Sequence, residues 1–305
     1  MNLYKLIGLI LMIVTGTKAL QAQSIGLTTE NDAYLLKKED AYYTNGLFFH
    51  YSYAKPGKLT SRRIHQFTIG QKIFTPLFRN TRTPADIDRP YAGYSFAQFS
   101  QTRFSGEKTV FQWSGTLGII GPASGGEGLQ NTYHRWLNFA EFRGWKYQIN
   151  NQLVLNAAAL YAYQMVNTQL FKGILISDAQ LGTGFVSASM GTKWVYGLLN
   201  SAQQSQLWNA AQEIKGNNKK EFYIYWYPRF TWQGYNATIS GGSKTAADSS
   251  VRLTPHRWVF QHTLGLAYSA GRWAAQLELV HQSRETLEQL KKHRYLGLQL
   301  QYRIH

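Results

Sequence analysis

Polar side chains that can bind cations or transfer protons cluster in the first half of this chain. The patches cover residues 29–32 (Thr-Glu-Asn-Asp), 40–46 (Asp-Ala-Tyr-Tyr-Thr-Asn-Gly), 88–93 (Asp-Arg-Pro-Tyr-Ala-Gly) and 121–127 (Gly-Pro-Ala-Ser-Gly-Gly-Glu), with Gln130 and His134 just behind the last. Carboxylate, amide and hydroxyl oxygens suit hard cations, and His is the side chain that titrates nearest to neutral pH. Such a cluster suggests chemistry, and the surrounding sequence indicates where that chemistry takes place.

The N-terminal residues predict export. Lys5 supplies a positive charge, and residues 6–14 form an apolar run that is too short to span a bilayer, as in a secretory signal peptide. Ala19 and Ala22 offer small residues for cleavage. We expect cleavage after Ala22, with residues 1–22 as the signal peptide and residues 23–305 as one domain.

The composition favours a membrane β-barrel. Aromatic residues make up 15% of the chain and charged residues 16%, against roughly 25% charged residues in ordinary globular domains. Nine Trp and twenty Tyr are consistent with the aromatic girdles of outer-membrane barrels. The chain has no cysteine, which excludes a disulfide scaffold, and no later apolar segment is long enough for a spanning helix.

Alternation of apolar and polar residues recurs along the chain. It is clear at residues 47–54, 258–268 and 273–280, and clearest at the end, where Leu296, Leu298, Leu300, Tyr302 and Ile304 share one face. An apolar face outside and a polar face inside is the pattern of a transmembrane antiparallel β-barrel. Strand-like stretches also occur around residues 65–74, 94–104, 109–120, 146–166, 182–198 and 222–233. Strands of about 10 residues predict roughly ten to fourteen of them in all.

Two segments lack this alternation and place apolar residues at helical spacing, residues 201–215 and 127–143. In the second, Gln130, His134 and Glu141 lie within about 40° of one another on a helix of 3.6 residues per turn. This polar stripe predicts a short loop helix facing a site, and the alternative is an ordinary amphipathic loop helix.

The net charge of the chain indicates which kinds of partner it could attract. Without Lys5 and Lys18 the exported chain has 30 basic and 16 acidic residues, a net charge of +14. Export argues against nucleic acid. A positive surface would attract the anionic phosphates of lipopolysaccharide in the outer membrane, although simple solvation explains the charge equally well. No obligate protein partner is inferred.

The order of the polar patches resembles the lipid A 3′-O-deacylase (LpxR) family of outer-membrane barrels. The matching residues are Glu30-Asn31-Asp32, Asp40, Tyr43-Thr44-Asn45-Gly46, Asp88-Arg89-Pro90-Tyr91-Ala92-Gly93, Gly121-Pro122-Ala123, Gln130-Asn131, His134, Trp145 and Gln148. The resemblance spans most of the exported chain and is specific in its N-terminal half. It implies a barrel of about twelve strands whose site lies near the outer mouth, beside a helix from an extracellular loop.

The resemblance also implies an activity, the Ca²⁺-dependent hydrolysis of the 3′ acyloxyacyl ester of lipid A. His134 would be the general base and Asp32 would orient it. Asn31 would hold the substrate, Thr44 would help to bind Ca²⁺, and Gln130 would line the site. Ester hydrolysis needs an activated water and stabilisation of a developing oxyanion, which these residue types and Ca²⁺ can supply.

One position departs from the family pattern. Alignment without gaps places Ala140 where the family has a Ca²⁺-binding Glu, and Glu141 follows. On a regular helix Glu141 lies about 20° from the face of His134, whereas Ala140 lies about 120° away. We therefore expect Glu141 to be the metal ligand, with Glu127 as an alternative.

Three arginines are candidates for binding the substrate. Arg79, Arg82 and Arg89 lie in a loop where they could bind lipid A phosphates, or simply be solvated.

One rival function is a barrel phospholipase, which is disfavoured because the chain has no Gly-x-Ser-x-Gly motif. The other is a non-catalytic pore or adhesin, which would give the ordered polar patches no role.

Overall fold

In a computed structural model the described residues form one closed barrel. They are residues 23–36, 41–54, 62–78, 81, 83–136, 142–210, 220–242 and 250–304, so the predicted signal peptide lies outside them. The strands are β1 (Gln23–Asn31), β2 (Tyr42–Ala54), β3 (Arg63–Thr75), β4 (Ala92–Ser105), β5 (Thr109–Ile120), β6 (Gln152–Asn167), β7 (Phe171–Gly182), β8 (Phe185–Leu198), β9 (Glu221–Asn236), β10 (Trp258–Ala270), β11 (Trp273–Gln282) and β12 (His293–Arg303). Each strand pairs antiparallel with its neighbours in sequence, and β1 closes the barrel by pairing with β12.

The alternation of residue types determines which face of each strand points outward. Leu27, Phe49 and Leu298 belong to the outward set and are 39%, 57% and 43% exposed. The inward set includes polar side chains such as His50 and Thr68, which are hydrogen-bonded to each other. This arrangement confirms the predicted transmembrane antiparallel barrel and gives twelve strands. β7 lies outside the strand-like stretches that were singled out from the sequence.

The two rims of the barrel differ in their connections. The connections after β1, β3, β5, β7, β9 and β11 meet at one rim, which we call the long-loop rim. The connection after β7 is the short one among them. The opposite rim, the short-turn rim, holds the tight connections after β4, β6 and β10. Helix α1 (Gly126–Trp136) lies in the connection after β5, and the single-turn helix α2 (Ala237–Ser240) lies in the connection after β9.

The two helix predictions have different outcomes. A loop helix is present at the start of residues 127–143, while residues 137–141 lie outside the described part of the chain. The described part of residues 201–215 instead forms two 3₁₀ turns, Ala202–Gln204 and Gln206–Trp208. Ser205 interrupts them because its side chain accepts a hydrogen bond from the Leu207 N–H, and Asn209 ends the second turn in the left-handed region.

No helix in the described part of the chain is long and apolar enough to cross a membrane.

Side chains fill the interior of the barrel at both rims. Near the long-loop rim, Tyr43, Phe74, Tyr94 and Ile120 pack with partly buried rings from β8, β9 and β12. At the short-turn rim the connection after β8 turns into the barrel, where its polar groups bond to several strands. These contacts are Arg62 Nη1 to Gln203 O (3.2 Å), Asn209 Nδ2 to Gln66 Oε1 (2.6 Å) and Gln206 N to Glu221 Oε2 (2.8 Å).

Candidate functional site

Asn31 and Thr44 lie at the long-loop rim on neighbouring strands. The register pairs Asn31 with Asn45, and a bulge places Thr44 as the extra residue between Tyr43 and Asn45. Asn31 shares a strand face with Leu27, which is exposed on the outside of the barrel. Asn31 therefore points towards the lipid side of the wall, not into the lumen. Bulges commonly redirect a side chain next to an active site.

Asp32 follows Asn31 directly and is 6% exposed. Its Oδ2 accepts a hydrogen bond from the Ala41 N–H at 2.7 Å, while Asn31 Oδ1 accepts one from the Ala33 N–H at 2.7 Å. These bonds connect the two ends of the β1–β2 connection to the tip of β1. They hold the carboxylate and the amide side by side at the rim.

Helix α1 packs against the outer face of β3 and β4. Gly93 on β4 and Gly126 at the start of the helix allow this contact, since a Cβ built on Gly93 would lie 2.9 Å from Gly126 Cα. Two hydrogen bonds fix the turn before the helix, because Ser124 O accepts from Gln71 Nε2 at 2.6 Å and from Ser95 Oγ at 2.8 Å. The helix therefore lies outside the barrel and forms a second wall beside the strands.

His134 and Gln130 are buried on the face of the helix that turns towards this wall. Gln130 Oε1 accepts a hydrogen bond from Trp145 Nε1 at 3.0 Å, and the ring of His134 lies 5.1 Å from that of Phe142. Phe142 and Trp145 belong to one apolar cluster with Ile73 of β3.

The Ile73 cluster connects the helix to the strands that carry Asn31 and Asp32. Ile73 pairs with Asn45 of β2, and Asn45 pairs with Asn31 of β1. Asn31 on β1 and the helix residues Gln130 and His134 thus lie on the outer side of neighbouring parts of the wall, and Thr44 precedes Asn45 in the chain. Asn31 and His134 are more than 100 positions apart in the sequence, and the cluster around Ile73 connects the elements that carry them.

The motif at residues 88–93 supports this arrangement. Tyr91 is fully buried and packs against Trp145 with ring centroids 5.2 Å apart. Asp88 accepts hydrogen bonds from Tyr42 Oη (2.7 Å), Leu77 N (3.0 Å) and Leu290 N (3.2 Å), and so joins β2 to two loops of the rim.

Arg89 is placed differently from the expectation that it binds phosphate. It is 0% exposed, stacks on Phe74 at 3.9 Å, and donates hydrogen bonds to Thr238 and Glu285. Burial lowers the pKa of Arg89 to about 10, while the ion pair with Glu285 opposes this effect, so the guanidinium stays charged at neutral pH. The placement gives Arg89 a structural role in joining three loops. Arg79 and Arg82 lie outside the described residues.

The described residues offer part of a Ca²⁺ site. Thr44 is 2% exposed, and its Oγ1 has no hydrogen-bond partner within the described part of the chain, which suits an oxygen ligand. Glu127 Oε2 accepts a hydrogen bond from Gln148 Nε2 at 3.3 Å. Glu141, Ala140 and Asp40 lie outside the described residues, which contain no group of three His, Asp or Glu side chains placed to hold a metal.

A cavity of about 220 Å³ beside Asp32 was not among the features predicted from the sequence. It lies between the β1–β2 connection and the start of β12, and Lys291, Lys292 and Arg294 line it. The signal in the sequence was the basic run at residues 291–294, immediately before the clearest predicted strand. Only the closure of β12 onto β1 brings this run next to Asp32.

Comparison with known proteins agrees with this fold. A solved structure of LpxR from Salmonella typhimurium superposes with a TM-score of 0.76 at 17% identity, covering 92% of this chain and 99% of that one. The KdgM porin (TM-score 0.42, 8% identity, 92% and 99% covered) and the β domain of the Bordetella autotransporter BrkA (0.47, 6%, 92% and 98%) are too distant to carry an argument. Curated protein sequences gave no match.

The family model described as "Outer membrane protein LpxR" matches residues 6–304, nearly the whole chain. The chain therefore belongs to the LpxR family of integral β-barrel proteins of the Gram-negative outer membrane.

Proposed function

We propose that this protein is an esterase that removes the 3′-linked acyloxyacyl chain of lipid A. The observation that carries the proposal is the position of Asn31 and His134 at the outer side of the barrel wall beside the long-loop rim, with Asp32 directly after Asn31. In outer-membrane barrels the short turns face the periplasm and the longer loops face the exterior. A site on the outer wall near the long loops meets the leaflet in which lipid A lies.

The proposed mechanism uses a water molecule as the nucleophile. The neutral imidazole of His134 takes a proton from the water as its oxygen bonds to the ester carbonyl carbon. The tetrahedral intermediate then expels the 3′ oxygen of the sugar, which receives the proton from His134. Asp32 keeps the imidazole in the required tautomer and stabilises its charged form. Asn31 and Gln130 hold the substrate beside these groups.

Ca²⁺ is the proposed cofactor, with Thr44 and Glu141 as ligands. When bound, the ion would supply positive charge to stabilise the carbonyl oxygen as it becomes negative. The buried Thr44 Oγ1 supports this part of the proposal, because a hydroxyl without a partner among the described residues costs free energy unless something else satisfies it.

The rival functions explain fewer of these observations. Aromatic and apolar side chains fill the interior near one rim, and the β8–β9 connection enters the other, which disfavours a pore. A phospholipase would share the lipid-facing position of the site, so the two lipid esterases must be separated by experiment.

The test is mass spectrometry of lipid A incubated with the detergent-folded protein, with phosphatidylethanolamine as the competing substrate. We expect the mass of lipid A to fall by one acyloxyacyl group with Ca²⁺ present and not with EDTA. His134→Ala should abolish the change, whereas the matched variant His262→Ala, on the outer face of β10, should not. Hydrolysis of the phospholipid alone would establish the phospholipase, and hydrolysis of neither lipid by the wild type would reject the esterase.

A further inference from the structure

We propose that the cavity between Asp32 and the start of β12 binds the 4′-phosphate of the lipid A headgroup. This inference rests on the proposed function, because it concerns the same substrate. The cavity has a volume of about 220 Å³, whereas pockets for whole small molecules have roughly 300–1,000 Å³. It is therefore suited to one substituent of a larger lipid.

The charge in the cavity favours an anion. Its lining includes three cations, Lys291, Lys292 and Arg294, and one carboxylate, Asp32. The net charge is +2 when the two lining histidines, His281 and His293, are neutral. Neither Lys292 nor Arg294 forms an ion pair with a carboxylate of the described chain. Unpaired cations that share one concave surface concentrate anions there.

The geometry of Arg294 suits a phosphate. Its Nε donates a hydrogen bond to His281 Nδ1 at 2.8 Å on the neighbouring strand, and this bond orients the guanidinium. The two terminal nitrogens have no partner among the described side chains. A guanidinium presents its remaining donors as a fork, which matches two oxygens of a phosphate.

The loop that carries the lysines is held in place. The Lys291 N–H donates to Tyr42 Oη at 3.1 Å, and Tyr42 Oη donates in turn to Asp88 Oδ2 at 2.7 Å. Tyr42 also lines the cavity. The cationic wall is therefore built on the same network that supports the rim, rather than on an unsupported loop.

The position beside Asp32 selects one of the two phosphates. In the proposed reaction Asp32 lies next to the ester at the 3′ position. Positions 3′ and 4′ are neighbouring carbons of one sugar, whereas the 1-phosphate is on the other sugar of the disaccharide. An anion site in contact with Asp32 is thus placed for the 4′-phosphate.

The test removes two charges from the cavity and compares three lipids. The variant is Lys292→Gln with Arg294→Gln, and the matched control is Arg63→Gln with Arg272→Gln, which removes two charges at the short-turn rim. The lipids are lipid A with both phosphates, without the 4′-phosphate and without the 1-phosphate. Binding is measured on proteins that also carry His134→Ala, so that hydrolysis cannot alter the ligand, and KM is measured on the active proteins.

We expect the cavity variant to weaken binding of the lipids that carry the 4′-phosphate and to raise their KM, roughly tenfold in each case. It should not change either quantity for the lipid that lacks this group, and the control should behave as wild type. A loss that follows the 1-phosphate, or an equal loss for all three lipids, would overturn the inference. Phosphate-dependent binding by a wild type that hydrolyses nothing would reject the proposed function and leave the anion site standing.

Discussion

Gly93 of β4 and Gly126 of helix α1 pack backbone against backbone, and this contact places the helix on the outside of the barrel. A Cβ built on Gly126 would lie 2.8 Å from Gly93 Cα, and one built on Gly93 would lie 2.2 Å from Ser124 Oγ. Real Cβ atoms do not approach other atoms so closely, so a side chain at either position must move the helix. Since His134 is carried by this helix, its position depends on two residues without side chains.

Replacement of Gly93 by valine should therefore reduce activity while the barrel still forms. A displacement of about 1 Å at a catalytic group can lower the rate roughly a hundredfold, and we expect a loss of that size in kcat for lipid A hydrolysis. Barrel formation is checked by the shift in gel mobility between heated and unheated samples. The control is Gly115→Val on β5, where a Cβ meets no atom within 4 Å. Equal activity in both variants would mean that the position of the helix does not matter.

Asp32→Asn separates the charge of this residue from its structural bond. The Asn carbonyl can still accept the hydrogen bond from the Ala41 N–H, so the β1–β2 connection should keep its conformation. The imidazolium of His134 would lose its counter-charge, and kcat should fall roughly 10²–10⁴-fold. Steady-state kinetics measures the loss, and unchanged thermal unfolding confirms the fold. Near wild-type kcat would remove Asp32 from the mechanism.

Thr44→Val tests whether the Thr44 hydroxyl is a ligand of Ca²⁺. Valine has nearly the shape of threonine and suits a strand, and the buried hydroxyl that it lacks forms no hydrogen bond to the described residues, so stability should not fall. The Ca²⁺ concentration for half-maximal activity should rise roughly tenfold as one oxygen ligand is lost. Titration of EDTA-treated protein with Ca²⁺ measures this shift, and Thr44→Ser should restore the wild-type value. An unchanged titration curve for Thr44→Val would place the ion elsewhere.

The sequence predicted most of the barrel because lipid imposes a simple rule on each strand. Alternation in β10, β11 and β12 is strict, since one face contacts lipid and the other lines the interior. β7 was missed because its outward and inward sides are both mixed, as in the run Ser177-Asp178-Ala179-Gln180. Residues 201–215 were assigned a helix because spacing alone does not reveal that the Ser205 side chain would accept a hydrogen bond from the Leu207 N–H.

The candidate site residues were predicted from their types and from the family resemblance, but the contacts that hold the surrounding loops in place were not predicted. Arg89 was predicted to bind phosphate, and only the fold shows that both Arg89 and its neighbour Asp88 bond to the loops of the rim. The basic cavity beside Asp32 also required the fold, because its two walls lie at opposite ends of the chain. Single-sequence patterns report local periodicity, whereas these contacts arise from closure of the barrel.

Asp88→Asn should loosen the long-loop rim without unfolding the barrel. Its carboxylate accepts three hydrogen bonds, from Tyr42, Leu77 and Leu290, and an amide nitrogen at either oxygen position would face a donor. A buried donor left unsatisfied costs about 1–3 kcal/mol, here within two loops and not throughout the sheet. Trypsin should then cleave at the exposed Lys291 and Lys292 roughly tenfold faster than in the wild type, because the loop opens more often. Asp86→Asn is the matched control, because the Asp86 carboxylate accepts hydrogen bonds from the N–H and the hydroxyl of nearby Thr83, and it should leave the cleavage rate unchanged. If Asp88→Asn is cleaved no faster than Asp86→Asn, the rim is held by its apolar contacts and not by this carboxylate.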